Sequence, residues 1–184
     1  MAAKKKSRST RARAEAAPDA IALLSADHRK VEKLFKQYEK ADGNSKKAAL
    51  AEQICTELEI HTLLEEEIFY PACRKKGVET DDLEEAQVEH DSAKVLIADL
   101  KEHTPRDQFY DAKMTVLTEY IKHHVQEEER PRRGVFAQAR SSGVDLQSIG
   151  RQIEARKSQL TEEAQASQLP KPTLRSLTVA SLVS

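Results

Sequence analysis

The sequence predicts an all-α protein, an antiparallel up-down-up-down four-helix bundle with an extra C-terminal helix and disordered tails. Composition is the first reason, because the 184 residues include 5 Gly, 6 Pro, no Trp and 4% aromatic residues, a balance that favours helix over strand. Apolar residues also recur at helical spacing in several long segments. The connections between these segments are short, and short connections make neighbouring long helices antiparallel.

The predicted elements follow one another with clear start and stop signals. Residues 1–18 are basic and polar, which predicts a disordered arm. Gly43 and Gly77 follow the first two helices, while Pro105 begins the fourth helix and Pro131 interrupts it. The bundle is predicted over residues 19–140, with helices at 19–40, 46–74, 82–102 and 105–130, followed by an extra helical segment at 141–166 and a disordered tail at 167–184.

Charge and cysteine content limit the classes of partner. The formal net charge is −1, but basic residues crowd the N-terminal arm, so the body is acidic and nucleic acid is not an expected partner. Cys55 and Cys73 form neither a disulfide framework nor a metal clip, which indicates reduced thiols in a cytoplasmic protein. No apolar run reaches the roughly 20 residues that cross a bilayer. The Arg- and Ser-rich start also resembles an organellar transit peptide, the alternative address.

Each of the four bundle helices places one histidine on its apolar face, at about 100° of rotation per residue. Glu65 and Glu128 each follow one of these histidines by four residues and therefore share its face. His123 and Glu127 have the same spacing but fall on the flank of the fourth helix. The inward histidines, in helix order, are His28, His61, His90 and His124.

The combination of these six residues favours a metal site over an ordinary core. A lone histidine on an apolar face is usually a hydrogen-bonded core residue. A buried carboxylate without a partner, however, costs several kcal/mol, so Glu65 and Glu128 each require a cation or a proton. Four imidazoles and two carboxylates suit one or two transition-metal ions. The ferritin-like pattern expects Glu-x-x-His instead, and a purely structural core remains the alternative.

The residues around the histidines resemble the hemerythrin-like, HHE cation-binding family. The motifs cover about residues 19–140 and occur in the family order. They are Asp27-His28-Arg29, His61-x-x-x-Glu65-Glu66 followed by Phe69-Tyr70-Pro71, Glu89-His90-Asp91, and His123-His124-Val125-Gln126-Glu127-Glu128-Glu129.

The resemblance implies a centre of two iron ions bridged by oxo or hydroxo and carboxylate groups, with other divalent metals as alternatives. By position, His28, His61, His90 and His124 would be terminal ligands, and Glu65 and Glu128 would bridge the ions. The implied small-molecule partners are O2, peroxide or nitric oxide.

Two departures from the family pattern affect these expectations. Oxygen-carrying hemerythrins have a second histidine on the third helix, but Ala86 and Lys94 stand one turn either side of His90. One position is therefore open, filled by water, or taken by Glu57, and an open position favours redox reaction over O2 carriage. Pro131 to Gly134 also interrupt the fourth helix, which leaves Phe136 as the candidate apolar anchor.

The leading hypothesis is a non-haem di-iron protein that binds or senses O2 or oxidants, or handles iron. The alternatives are a di-iron enzyme that reduces peroxide or nitric oxide, and a metal-independent helical interaction module. Tyr38, Tyr110 and Tyr120 share inward faces and are the aromatic candidates for a place beside the site. The sequence predicts no particular oligomeric state.

Overall fold

Four long helical rods and a C-terminal helix make up the fold. The structure is a computed structural model and describes residues 17–178. The predicted all-helical bundle with an extra C-terminal helix is confirmed, since these residues contain no strand. The elements are α1 (Ala20–Glu39), α2 (Asn44–Leu64), a π-helical segment (Glu65–Phe69), α3 (Tyr70–Lys75), α4 (Thr80–Glu102), α5 (Tyr110–Glu128), α6 (Val135–Ser141) and α7 (Leu146–Gln165).

The rods pack in a closed ring. Helix α1 contacts α2 and α5, and α4 contacts α2 and α5. Helix α2, the π-helical segment and α3 follow one another without a break, so they form one rod of the four. Across residues 17–178, no helix combines the length and the apolar character that crossing a membrane requires. The basic arm, residues 1–16 of which lie outside the described range, stays a prediction.

Local hydrogen bonds set several helix boundaries. The Asp19 carboxylate accepts from the Ala22 backbone N–H and caps the start of α1. The predicted start of the fourth helix at Pro105 is wrong, because α5 begins only at Tyr110. The Asp107 carboxylate accepts from both the backbone N–H and the hydroxyl of Thr104, which closes a turn where the helix was expected.

Helix α7 packs across α1 and α2 and extends the core. Its Gly150 lies so close to the start of α1 that an added Cβ would stand 2.9 Å from the Ala20 nitrogen. Ile153 and Leu160 are fully buried on the same helix. Beyond α7 the chain is not helical, and the backbone N–H groups of Arg175 and Ser176 each donate to Asp91 of α4 at 2.6 Å.

The apolar core consists of two clusters that meet at a polar layer. One cluster includes Leu24, Leu64 and the residues of α7, and the other includes Val31, Leu58 and the start of α5. The inward histidine of α1 lies between Leu24 and Val31 in sequence, and that of α2 lies between Leu58 and Leu64. The fold therefore holds a layer of polar side chains between two apolar clusters.

Candidate metal centre

The six inward residues predicted from the sequence lie together in the polar layer. Each rod of the ring contributes one histidine. Two rods also contribute a glutamate: the rod that begins with α2, and α5. All six are buried, with exposed fractions of 5% or less. They are His28, His61, Glu65, His90, His124 and Glu128.

The side chains form two adjacent groups of potential ligands. His28, His61, Glu65 and Glu128 make up the first, and Glu65, His90 and His124 the second, with one donor atom per residue within 4.8 Å of the others. The shared Glu65 carboxylate oxygen Oε2 lies 3.2 Å from His61 Nε2 and 3.3 Å from His90 Nε2. One carboxylate therefore connects the two groups.

Glu128 occupies a matching place between the other two histidines. Its Oε2 atom lies 3.5 Å from His28 Nε2 and 3.6 Å from His124 Nε2. That oxygen has no hydrogen-bond partner, and neither has Oε1 of Glu65. Buried carboxylate oxygens are rarely left unpaired, so both point to a cation among these side chains.

Four further carboxylates, here called the outer carboxylates, face the Nδ1 atoms of the histidines. They lie 2.8 Å from His28, 3.9 Å from His61, 3.2 Å from His90 and 2.8 Å from His124. A carboxylate at Nδ1 holds the proton of a neutral imidazole there and turns the Nε2 lone pair towards the opposite side. In the same histidine order, the outer carboxylates are Glu129, Asp27, Glu66 and Glu89.

The Nε2 atoms meet in two pairs inside the centre. His28 and His61 Nε2 are 3.1 Å apart, and His90 and His124 Nε2 are 3.2 Å apart. At His90 and His124 the outer carboxylates hold the proton on Nδ1, so two neutral rings would bring two lone pairs face to face. That pair requires a positive charge at its centre, either a proton or a metal ion, and a positive charge likewise stabilises the pair of His28 and His61.

The pKa values of the histidines follow the same logic. Burial lowers the pKa of His28 to about 4, so this ring is neutral. Burial opposes the charge on His61 as well, but the Glu65 carboxylate and the nearby Asp27 carboxylate raise the pKa of His61 to about 10. Burial would also lower the pKa of His124, but the Glu128 carboxylate raises this pKa well above its ordinary value. Protonated His61 and His124 thus supply one positive charge to each pair.

The two central glutamates have opposite pKa shifts. Burial and the negative charge of Glu65 raise the pKa of Glu128 to about 8. Burial would also raise the pKa of Glu65, but the charge on His61 and hydrogen bonds from the histidines lower it. Without metal at neutral pH, Glu65 is therefore ionised and Glu128 is mostly protonated, as expected for two carboxyl groups that share one buried site.

Tyr70 is a member of the site that the sequence reasoning missed. Its hydroxyl donates to Glu128 Oε1 at 2.8 Å and lies 3.3 Å from Glu65 Oε2 and 3.5 Å from His90 Nε2. The side chain is 1% exposed, and burial raises the pKa of Tyr70 well above its ordinary range. The phenol therefore stands beside His90. This chain lacks the second histidine that oxygen-carrying hemerythrins have on the same helix.

The π-helical segment explains why Tyr70 faces inward. The Tyr70 backbone N–H donates to the carbonyl of Glu65, five residues earlier, which places both side chains on one face. A regular α-helix would continue the inward face of Glu65 through Ile68 and Ala72, but both are only partly buried. Phe69, Tyr70 and Cys73 occupy the core instead, because the wider turn rotates the following helix.

The three aromatic candidates named from the sequence lie elsewhere. The Tyr38 hydroxyl donates to Asp111 at 2.7 Å. Tyr110 packs in the cluster with Val31 and Leu58, and Tyr120 is 47% exposed. The prediction of an inward face is therefore correct for Tyr38 and Tyr110 and wrong for Tyr120. Neither of the two buried tyrosines lies in the polar layer.

The structure does not bring Glu57 to the centre. The Glu57 carboxylate pairs with Lys30 at the surface of α1 and α2. Lys94, one turn after His90, is buried and donates to Glu66 at 2.6 Å and Asp91 at 3.1 Å. Its charge therefore stabilises the outer carboxylate of His90 rather than the central glutamates.

The chain after α5 turns back over the centre. Gly134 approaches the end of α5 so closely that a Cβ would lie 2.4 Å from the Glu128 carbonyl oxygen. This turn delivers Phe136, whose ring stacks on His28 with centroids 5.7 Å apart and also contacts Phe69 at 5.5 Å. Phe136 is 5% exposed, so it is an apolar anchor beside the centre.

A cavity of about 650 Å³ leads from the surface to the centre. Its inner end is formed by His124 and Glu128, and its walls are the outer side of α4 and the turn at Arg130 to Gly134. A second cavity touches all four inward histidines, but it measures about 10 Å³. That volume is at the lower limit for one water molecule.

Comparisons with known proteins agree with this architecture. The model of the hemerythrin HHE cation-binding domain family matches residues 19–131. The fold is similar to the crystal structure of a hemerythrin HHE cation-binding domain-containing protein from Mycobacterium kansasii, with a TM-score of 0.68 and 21% identity over 82% of this chain and 91% of that chain. At this identity the likeness is one of fold. The search of curated proteins returned no match.

Proposed function

The chain belongs to the hemerythrin HHE cation-binding family, and from this premise we propose that it binds two iron ions between α1, α2, α4 and α5. The observation that carries the proposal is the pairing of the histidine Nε2 atoms, 3.1 Å and 3.2 Å apart, next to two unpaired carboxylate oxygens. Two positive charges are needed there, and the donor set of imidazole and carboxylate suits iron.

The ligands divide naturally between the two ions. His28 and His61 would hold one ion and His90 and His124 the other, with Glu65 and Glu128 reaching both. Tyr70 would stand beside the ion at His90, because its phenol oxygen lies 3.5 Å from His90 Nε2, and burial keeps its hydroxyl protonated by raising the pKa of Tyr70. The outer carboxylates orient the imidazoles and increase their basicity.

We further propose that the centre reacts with small oxidants and does not carry O2 reversibly. A bound pair of iron ions would supply electrons to O2, peroxide or a related small molecule. The cavity at His124 and Glu128 gives such molecules and water access from the surface, and the phenol of Tyr70 provides a proton donor at the site. Sensing and iron handling use the same chemistry and are included in this proposal.

Anaerobic titration of the metal-free protein with ferrous iron tests the binding proposal. Uptake should end at about two ions per chain, and admission of air should then produce a visible absorption band. Absence of uptake would contradict the proposal and favour the metal-independent interaction module. In that case the metal-free protein should also be fully stable.

Reaction with peroxide separates a sensor from an enzyme. Sustained consumption of many equivalents of hydrogen peroxide by the iron-loaded protein would support the enzymatic alternative, which the open cavity favours. A single stoichiometric oxidation, reversed by a reductant, would instead support sensing. Nitric oxide can be tested in the same way under anaerobic conditions.

A further inference from the structure

All six inward residues are buried, so a metal ion can reach them only through an opening in the fold. The cavity between α4 and the turn after α5 is an opening of about 650 Å³ that reaches two of them, His124 and Glu128. Glu128 lines this cavity, and its Oε2 atom, among the histidines of the centre, is buried and lacks a hydrogen-bond partner. This unpaired oxygen is a ready acceptor for a cation that arrives through the cavity.

A third group of potential ligands, here called the outer group, lies outside the centre, and two of its members, Glu85 and Glu89, line this cavity. One donor atom from each of Glu85, Glu89 and His123 lies within 4.8 Å of the other two. Glu85 is exposed, and the His123 side chain is 57% exposed, so both are open to solvent. His123 Nε2 lies 3.3 Å from Glu89 Oε1, which already brings α5 and α4 together at this point.

Glu89 connects this outer group with the centre. Its second oxygen, Oε2, lies 2.8 Å from Nδ1 of His124, while Oε1 faces His123. The Glu89 side chain is 18% exposed and lies between the solvent and the buried ligand. A cation held by the outer group is thus separated from the centre by one carboxylate.

We propose that Glu85, Glu89 and His123 form an entry site that receives a divalent metal ion from solvent and passes it through the cavity to the di-iron centre. Two carboxylates and one imidazole suit ferrous iron and similar divalent ions. Asp82 extends the acidic wall along α4, whereas the arginines lie on the opposite wall, where Arg130 is paired with Glu127 at 2.9 Å. A cation therefore approaches along α4. The inference rests on the proposed function.

The rate of metal uptake tests the entry site without measuring activity. The metal-free full chain is mixed with Co2+, whose visible absorption reports binding at the centre, in a stopped-flow instrument. The test protein is the double variant Glu85→Gln/His123→Gln. The matched control is Glu84→Gln/His103→Gln, which removes one exposed glutamate of α4 and the exposed histidine that follows this helix, neither of which lines the cavity.

The entry site predicts slower uptake with an unchanged end point. At low Co2+ the second-order rate constant of the test variant should fall about tenfold below that of the control, because a cation-attracting group has been removed. Both proteins should still bind two ions at saturation. Equal rates within about twofold, or fewer than two ions bound by the test variant, would overturn the entry site. Failure of the wild-type protein to take up any metal would instead overturn the proposed function.

Discussion

Tyr70→Phe is the substitution that most clearly separates a site residue from an ordinary core aromatic. The Tyr70 ring is 1% exposed, and phenylalanine preserves its packing. What is lost is a hydroxyl that donates to the buried Glu128 carboxyl at 2.8 Å, with Glu65 Oε2 at 3.3 Å. Water cannot easily replace this donor, because the acceptors are also buried.

The expected loss follows from the burial of the acceptor. A hydrogen bond to a buried charged group contributes about 1.5–3 kcal/mol, so the metal-free Tyr70→Phe protein should lose up to about that much free energy of unfolding at a pH where Glu128 is ionised. Tyr38→Phe is the matched control, because the Tyr38 ring is buried and its hydroxyl donates to Asp111 at 2.7 Å. The Asp111 side chain is 58% exposed, so water replaces the phenol and the loss should stay below about 1 kcal/mol.

The loss at Tyr70 should also depend on pH. The hydrogen bond from Tyr70 favours ionised Glu128, whose pKa of about 8 would rise further in the variant. The penalty is therefore small at pH 7, grows as pH rises above about 8, where wild-type Glu128 ionises, and is complete only above the higher pKa of the variant. Tyr38→Phe should show no such change, since Asp111 is ionised throughout this range and its pKa is lowered by hydrogen bonds from Lys47 and Tyr38.

Urea unfolding of metal-free protein at pH 7 and pH 9 measures both effects. Metal is removed beforehand because bound ions would add their own stabilisation. Equal losses for the two variants at both pH values would refute the reasoning. In iron-loaded protein, Tyr70→Phe should also change the visible spectrum, while Tyr38→Phe should leave it unchanged.

Three other perturbations give distinct outcomes. Glu65→Ala or His124→Ala should abolish metal retention, measured as metal content after gel filtration, because each removes a ligand and leaves buried partners unpaired; two ions in either variant would contradict the ligand assignment. Metal affinity should increase as pH rises above 7, because protons held by the buried cluster of His61, His124 and Glu128, whose pKa values are all raised, compete with metal. Saturation at pH 7 should therefore release protons to a pH indicator, and no release would refute this competition. Phe136→Ala should lower the free energy of unfolding by about 3–5 kcal/mol in urea unfolding, because a buried ring is removed; a loss below about 1 kcal/mol would show that Phe136 is no anchor.

The four histidines could be predicted from sequence because regular helices position them. His28, His90 and His124 lie within α1, α4 and α5, and His61 lies in α2 before the π-helical segment. In each case the 3.6-residue period holds over the turns on either side, so a helical wheel gives the correct face. Glu65 is the first residue of the π-helical segment, where the accumulated rotation is still small.

Tyr70 could not be predicted because the helical period changes between Glu65 and Phe69. A regular wheel continued from Glu65 selects Ile68 and Ala72, whereas the wider turn brings Phe69 and Tyr70 inward. A signal was nevertheless present in the sequence. A wheel that places two adjacent aromatic residues outside the apolar face indicates that the regular period has ended.

The outer carboxylates were missed because each serves a ligand on another rod. Asp27 precedes His28 in the sequence but faces His61, and Glu89 precedes His90 but faces His124. Such pairings depend on how the helices pack and cannot be read from one helical face. Lys157 of α7 also pairs with Asp27, which makes the C-terminal helix part of the support of the centre.

The number of iron ions bound per chain tests the central claim most directly. Native mass spectrometry of the full chain, reconstituted anaerobically with ferrous iron, distinguishes chains that carry no ion, one ion or two. We expect a dominant species with two iron ions. There are two histidine pairs, each of which would hold one ion, and the two carboxylates lie between them. A dominant metal-free species at saturating iron would contradict it and would mean that protons alone neutralise the buried cluster.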